Sequence, residues 1–248
     1  MEKARGSFVV VLITVFIVSS VQAEILHLWV DDTLSVLPEA RAAGINNLCK
    51  QIPVIIKKYG ITEIRVHHLG HDPWVVQPDC FQVLRLNGDP CKDTKMPGEL
   101  GIFKTLKAHA ETACEEQRKR ERSEYEAQLA AILPSIQEAL TKSPERGSPC
   151  TAVYDTLIRV SNEQGLVVLI TDGVETCHRS IFAIPMSPNT KRILILLIPS
   201  KDDSGKGKSA ARTFNARKTL LGEIIPWARI EPLFSDRISE SLDERKTP

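Results

Sequence analysis

Ile25-Leu26-His27-Leu28-Trp29-Val30-Asp31-Asp32-Thr33-Leu34-Ser35 decides how the rest of this chain reads. Ile25 to Val30 is short and nearly all apolar, the pattern of a strand covered on both faces. The run then stops in Asp, Thr and Ser, so one sheet edge receives several oxygen side chains. Asp31, Thr33 and Ser35 are spaced by two, and in extended backbone such residues point to one side. Two later segments offer the same chemistry: Thr151 in Ser-Pro-Cys-Thr-Ala-Val-Tyr-Asp-Thr-Leu, and Asp172 in Leu-Val-Val-Leu-Ile-Thr-Asp-Gly. A hard divalent cation wants oxygen ligands and keeps several waters. The set therefore suits Mg2+, or Mn2+ or Ca2+, with positions left for an incoming acidic group. It needs no His or Cys, which argues against zinc at these residues.

Outward from this stretch, helical and strand patterns alternate. Pro38 opens a helix at a favoured first-turn position, with Ile45, Leu48, Ile52, Ile55 and Ile56 at helical spacing and Gly60 as the stop. Pro53 is expected to bend or interrupt it. Ile61 to Leu69 reads as a second strand. Phe81 to Leu86 reads as an exposed or edge strand before Asn87-Gly88-Asp89-Pro90. A long helical region spans Leu100 to Leu140, and Pro134 is expected to divide it. Its middle, Glu115 to Glu126, reads as a solvated face with ion pairs four residues apart. Thr141 to Pro149 is a loop, and Thr151 to Ser161 a short helix. Leu166 to Ile170 and Ile193 to Ile198 are continuous apolar strands. Ala210 to Ile225 is a helix and Ala228 to Phe234 a last strand. Apolar strands alternating with helices predict a mostly parallel α/β sheet covered on both faces. Ligands of such sheets bind beyond the carboxyl ends of the strands, where Asp31 and Asp172 fall.

In these positions the chain resembles the von Willebrand factor A (VWA) domain family and its metal-ion-dependent adhesion site (MIDAS). That family carries D-x-S-x-S after its first strand, a Thr in a later loop and an Asp in T-D-G after its fourth strand. The matching residues are Asp31-Asp32-Thr33-Leu34-Ser35, Thr151 and Thr171-Asp172-Gly173, in the same order. The resemblance implies a three-layer Rossmann-like fold, its sheet mostly parallel with one antiparallel edge strand. It implies hydroxyl ligands from Thr33, Ser35 and Thr151, and Asp31 and Asp172 binding directly or through water. It further implies a non-enzymatic binding module whose cation is completed by a carboxylate of a protein partner. Two departures stand out: Thr33 replaces the usual Ser, and Cys150 stands where the family often has Gly.

Residues 1–23 read as a secretory signal peptide: Lys3 and Arg5, an apolar stretch from Phe8 to Val18, then Val21-Gln22-Ala23. The alternative is an uncleaved membrane anchor, although the stretch is near the lower limit for a span. Cleavage predicts a secreted or periplasmic VWA-like domain over 24–235, with a helical insertion at about 97–149 and a flexible tail over 236–248. The chain holds 32 basic and 31 acidic residues, and removing Lys3, Arg5 and Glu2 balances the two signs. That balance argues against a nucleic-acid partner. The six cysteines permit three disulfides in an exported chain. Cys80 and Cys91 are close enough to clip a loop, and Cys150 and Cys177 each flank a proposed ligand.

Other signals are weaker. His67, His68, His71 and Asp72 form a small polar cluster placed after the second strand; they could bind a metal, but the spacing H-H-x-x-H lacks a helical setting, and surface or loop packing is the default reading. Gly205-Lys206-Gly207-Lys208-Ser209 lacks the first Gly of a phosphate-binding loop, since Asp202 stands there. A metal-free scaffolding domain acting through Lys107 to Leu140 is the first alternative. A metal-dependent hydrolase is the second, but no general base is visible near the cluster.

Overall fold

The computed structural model describes residues 24–33, 36–69, 77–83, 101–142, 152–175, 177, 182–185, 190–200, 208–232, 238 and 242. Six strands form one sheet: β1 (Glu24–Asp31), β2 (Ile61–Leu69), β3 (Asp79–Gln82), β4 (Gly165–Thr171), β5 (Thr190–Leu197) and β6 (Arg229–Pro232). Their order across the sheet is β3-β2-β1-β4-β5-β6. All neighbours run parallel except β3, which pairs antiparallel with β2 at the edge. The fold is thus α/β with a mostly parallel sheet and one antiparallel edge strand, in the Rossmann-like manner expected.

The helices are α1 (Pro38–Tyr59), α2 (Gly101–Thr141), α3 (Val153–Asn162) and α4 (Lys208–Ile224). Strand residues alternate between two faces, and two apolar cores result. Leu26, Leu28 and Val30 of β1 pack with Ile45, Leu48 and Ile52 of α1 and with Ile136 and Leu140 of α2. Trp29 packs on the other face with Val153, Leu157 and Val160 of α3 and Leu221 of α4. β1 and β4 are buried along almost their whole length, which is why both read as unbroken apolar runs.

Neither internal proline interrupts its helix. Pro53 lies inside an unbroken α1, and Pro134 lies inside α2 and does not divide it. Ala130, Ala131 and Pro134 are all exposed. Water can therefore reach the helix face on which Pro134 leaves a carbonyl without its N–H partner. α1 ends as expected at Gly60, with φ 63° and its N–H bonded to the Ile56 carbonyl. The edge strand begins earlier than Phe81, at Asp79.

Two further expectations are corrected. Within the supposedly flexible stretch 236–248, Ile238 and Leu242 are fully buried in the α1/α2 core. Cys49 and Cys80 carry free thiols, so a three-disulfide framework and a Cys80–Cys91 clip do not form. Cys49 is packed against the core and burial pushes its thiol up to about 11. Cys114 and Cys177 are disulfide-bonded. No helix among the described residues is long and apolar enough to cross a membrane.

Candidate metal centre

β1 and β4 are hydrogen-bonded neighbours, paired through Val30 and Ile170. The residues that follow each pair, Asp31 and Thr171, therefore emerge side by side at the carboxyl edge. The Thr171 hydroxyl donates to Asp31 Oδ2 at 2.7 Å. Asp31 Oδ1 accepts from the Thr33 N–H at 3.0 Å and from the Thr33 hydroxyl at 2.6 Å. Asp31 thereby bends the chain after β1 into an Asx-type turn, which Val36 N–H extends by bonding the Thr33 carbonyl. Asp172 repeats the device after β4, its Oδ1 accepting the Val174 N–H at 3.0 Å.

Asp31 and Asp172 are both fully buried. Burial raises the Asp31 carboxyl to about 6, the Asp172 charge adding to the effect and the Thr33 and Thr171 hydrogen bonds opposing it. Turn formation alone needs no such burial. Two neighbouring carboxylates removed from water cost folding free energy unless a proton or cation compensates them.

The loops around this edge are braced by motif neighbours and by groups outside the motifs. Gly173 has φ 71°, and a Cβ there would sit 3.0 Å from Leu221 Cδ1 and 3.2 Å from Leu197 Cδ1. Glu175 accepts the Tyr154 N–H at the start of α3 and the Cys177 N–H, each at 2.8 Å. It therefore ties the loop after β4 to the N-terminus of α3. Asp32 pairs with the Arg41 guanidinium through one oxygen and with His68 Nδ1 at 2.5 Å through the other. Arg41 also donates to the Leu140 and Thr141 carbonyls, the unpaired acceptors at the end of α2. The turn after β1 is thus fastened to α1, β2 and α2 together.

Of the five ligands expected from the sequence, Asp31, Thr33 and Asp172 meet at this edge. Ser35 and Thr151 lie outside the described residues, although Ala152, next to Thr151, is buried at the start of α3. The oxygen donors fit a hard cation, and the buried pair of carboxylates fits it better than a neutral ligand. The Gly205–Ser209 segment lies largely outside the described residues, as do His71 and Asp72. His67 and His68 are corrected: they belong to β2, are buried, and face opposite sides of the sheet. No family model and no curated protein sequence matches this chain.

Proposed function

We propose that this protein is an exported VWA-like binding module that engages a protein partner through a MIDAS-type site. The observation that carries the reading is the pairing of two fully buried carboxylates, Asp31 and Asp172, at the carboxyl edge of adjacent parallel strands. Asp31, Thr33, Ser35, Thr151 and Asp172 would hold Mg2+, or Mn2+ or Ca2+. A cation held there supplies a hard Lewis acid for a partner's carboxylate. The chain's own residues do the rest. Thr33 and Thr171 orient Asp31, Asp172 is set by its turn, and Arg41 and His68 fix Asp32 and the direction of the loop. The disulfides at Cys114 and Cys177 accord with an oxidising compartment, and the sequence-predicted leader with export.

Thermal melting with and without millimolar Mg2+ or Mn2+ tests this reading. Binding to the folded state raises the midpoint by mass action, the stabilisation reaching about 2.7 kcal/mol at a hundredfold excess over Kd. Asp172→Asn keeps an oxygen for the Val174 N–H but removes the charge, and should abolish the rise. A folded wild-type chain that ignores both metals would sink the proposal.

A second reading is favoured by one observation: residues 112–124 of α2 are exposed except for the partly buried Cys114 and Glu121. A scaffold acting through that segment would capture its partner equally well in chelator, and would lose it when the face is neutralised.

A further inference from the structure

A separate cluster lies on the α3 side of the sheet, four residues before Asp31 along β1. His27 and His67 are buried there, 1% and 4% exposed. His27 Nε2 lies 3.1 Å from the Gln164 carbonyl oxygen. That acceptor assigns the proton to Nε2 and leaves Nδ1 as a lone pair. His67 Nε2 therefore donates to that lone pair at 3.1 Å, a hydrogen bond that an ion between the two nitrogens would displace. Glu163, the residue that caps α3, brings Oε2 to 3.7 Å from the same His27 Nε2, so its carboxylate must turn toward the Nδ1 side to reach an ion there. One ligand atom from each of the three residues lies within 4.8 Å of the others.

We propose that His27, His67 and Glu163 form a binding site for a divalent ion of the zinc class, separate from the oxygen set at the strand ends. Two nitrogens on one tetrahedral zinc, each bonded at about 2.0–2.1 Å, are about 3.3 Å apart. The observed 3.1 Å between the imidazole nitrogens is close to that edge. The Gln164 carbonyl is the outer acceptor that a ligating histidine requires on its second nitrogen. The His67 ring is held differently, by stacking on Trp29 with centroids 4.1 Å apart and planes 4° apart. Its Nδ1 has no hydrogen-bond partner among the described residues. Imidazole nitrogens with one carboxylate favour zinc-class ions over magnesium. Glu163, one-fifth exposed, is the side open to solvent.

Arg159 opposes this site. Its Nε lies 3.6 Å from Glu163 Oε1, and its guanidinium sits 5.0 Å above the Trp29 ring. Arg65 adds positive charge near both histidines. Filling the site exchanges the Arg159–Glu163 pair for a metal–Glu163 bond.

The experiment is a Co2+ titration of the full folded chain, read by visible d–d absorption, with Zn2+ and Mg2+ as competitors. The expected result is a saturable signal displaced by Zn2+ and not by millimolar Mg2+. His67→Gln and Glu163→Gln should each weaken binding by about tenfold or more. Arg159→Gln should tighten it, an effect that a purely structural role would not produce. Asp172→Asn should leave it unchanged. Unaltered affinity in the His27→Gln/His67→Gln chain would place the ion on His68, His71, His109 or His178 and overturn the proposal. Displacement by Mg2+ would place it on the carboxylates and overturn it equally. If the histidine variants do not fold, unchanged affinity in both Glu163→Gln and Arg159→Gln overturns it.

Discussion

At the carboxyl end of β1 the buried polar groups are carboxylates, Asp31 beside Asp172, while four residues earlier they are imidazoles, His27 beside His67. The two clusters are about 13 Å apart along the strand by residue rise. Burial acts on them in opposite directions. It pushes the Asp31 carboxyl up and the two imidazoles down, so each end favours its neutral state. The carboxylates are lined by hydroxyls and backbone N–H groups from short turns, whereas His67 stacks on Trp29 and His27 stacks on His67. One end is a set of hard oxygens on loops, the other a set of nitrogens on strands.

Each end also has a glycine at the boundary of β4, and these should respond very differently to a methyl group. Gly165 opens β4 with φ 110°, and a Cβ there would lie 2.3 Å from the Ile25 carbonyl oxygen, a backbone atom. Gly173 follows Asp172, and a Cβ there would meet the ends of two leucine side chains at 3.0 and 3.2 Å. Backbone cannot give way, but leucine rotamers shift by tenths of an ångström. Gly165→Ala should therefore cost about 3 kcal/mol or more, and Gly173→Ala markedly less. Urea denaturation of both variants measures the difference; equal losses would show that the amino end of β4 yields as readily as the loop.

The opposed titrations give the next largest effect. Asp31 in the folded chain holds its proton up to about pH 6, whereas the unfolded chain releases it near pH 3.8. Between those values the folded state binds more protons, so this residue lowers stability as pH rises, by about 3 kcal/mol in all. The imidazoles act the other way. Below about pH 6.5 the unfolded chain takes up protons that His27 and His67 refuse, so stability falls with falling pH. His67, held down to about 2, contributes about 1.4 kcal/mol per pH unit across this range, and His27 adds in the same direction. In the metal-free chain, Asp31→Asn should then steepen the loss of stability between pH 6 and 4, and His67→Gln should flatten it. Denaturant midpoints across that range decide the matter. Matching slopes in wild type and Asp31→Asn would mean that the carboxyl end is not strained by its buried acids.

The two ends differed also in how far the amino-acid pattern revealed them. Asp31, Thr33 and Asp172 were legible because each ends an apolar strand, and strand order then brings them to one edge. Thr171 was visible only as part of the Thr-Asp-Gly motif; its bond to Asp31 follows from the pairing of β1 with β4. The histidine pair was not legible. His27 looks like one polar interruption in an apolar run, and its partner is 40 residues away. Its alignment depends on the register of β1 against β2, which no local spacing encodes. Glu175 and Arg41 escaped notice for the same reason: each serves a helix end that is remote in sequence. Strand and helix existence was well marked by apolar periodicity. The continuity of α2 through Pro134 was not, because it depends on which face of the helix meets water.

Two arginine–carboxylate pairs make the last and smallest contrast, and they separate the loop-bracing region from the solvated one. Arg41 and Asp32 have side chains 16% and 5% exposed, and Arg41 additionally holds two carbonyls at the end of α2. Arg122 and Glu126 lie one helical turn apart on α2 at 3.1 Å, with side chains 71% and 65% exposed. Water screens the second pair and its long side chains lose rotamer freedom in making it, so Arg122→Gln should change stability by only about 0.3 kcal/mol. Arg41→Gln leaves Asp32 with one partner and the last turn of α2 without a cation, and should cost about 2 kcal/mol. The same substitution loosens the turn that Asp31 closes, so it should also shrink the rise in melting temperature produced by Mg2+, whereas Arg122→Gln should leave that rise intact. Melting curves of the two variants with and without metal make the comparison directly. An Arg41→Gln chain that loses stability yet keeps the full metal response would show that bracing by α2 serves the fold and not the carboxylate edge.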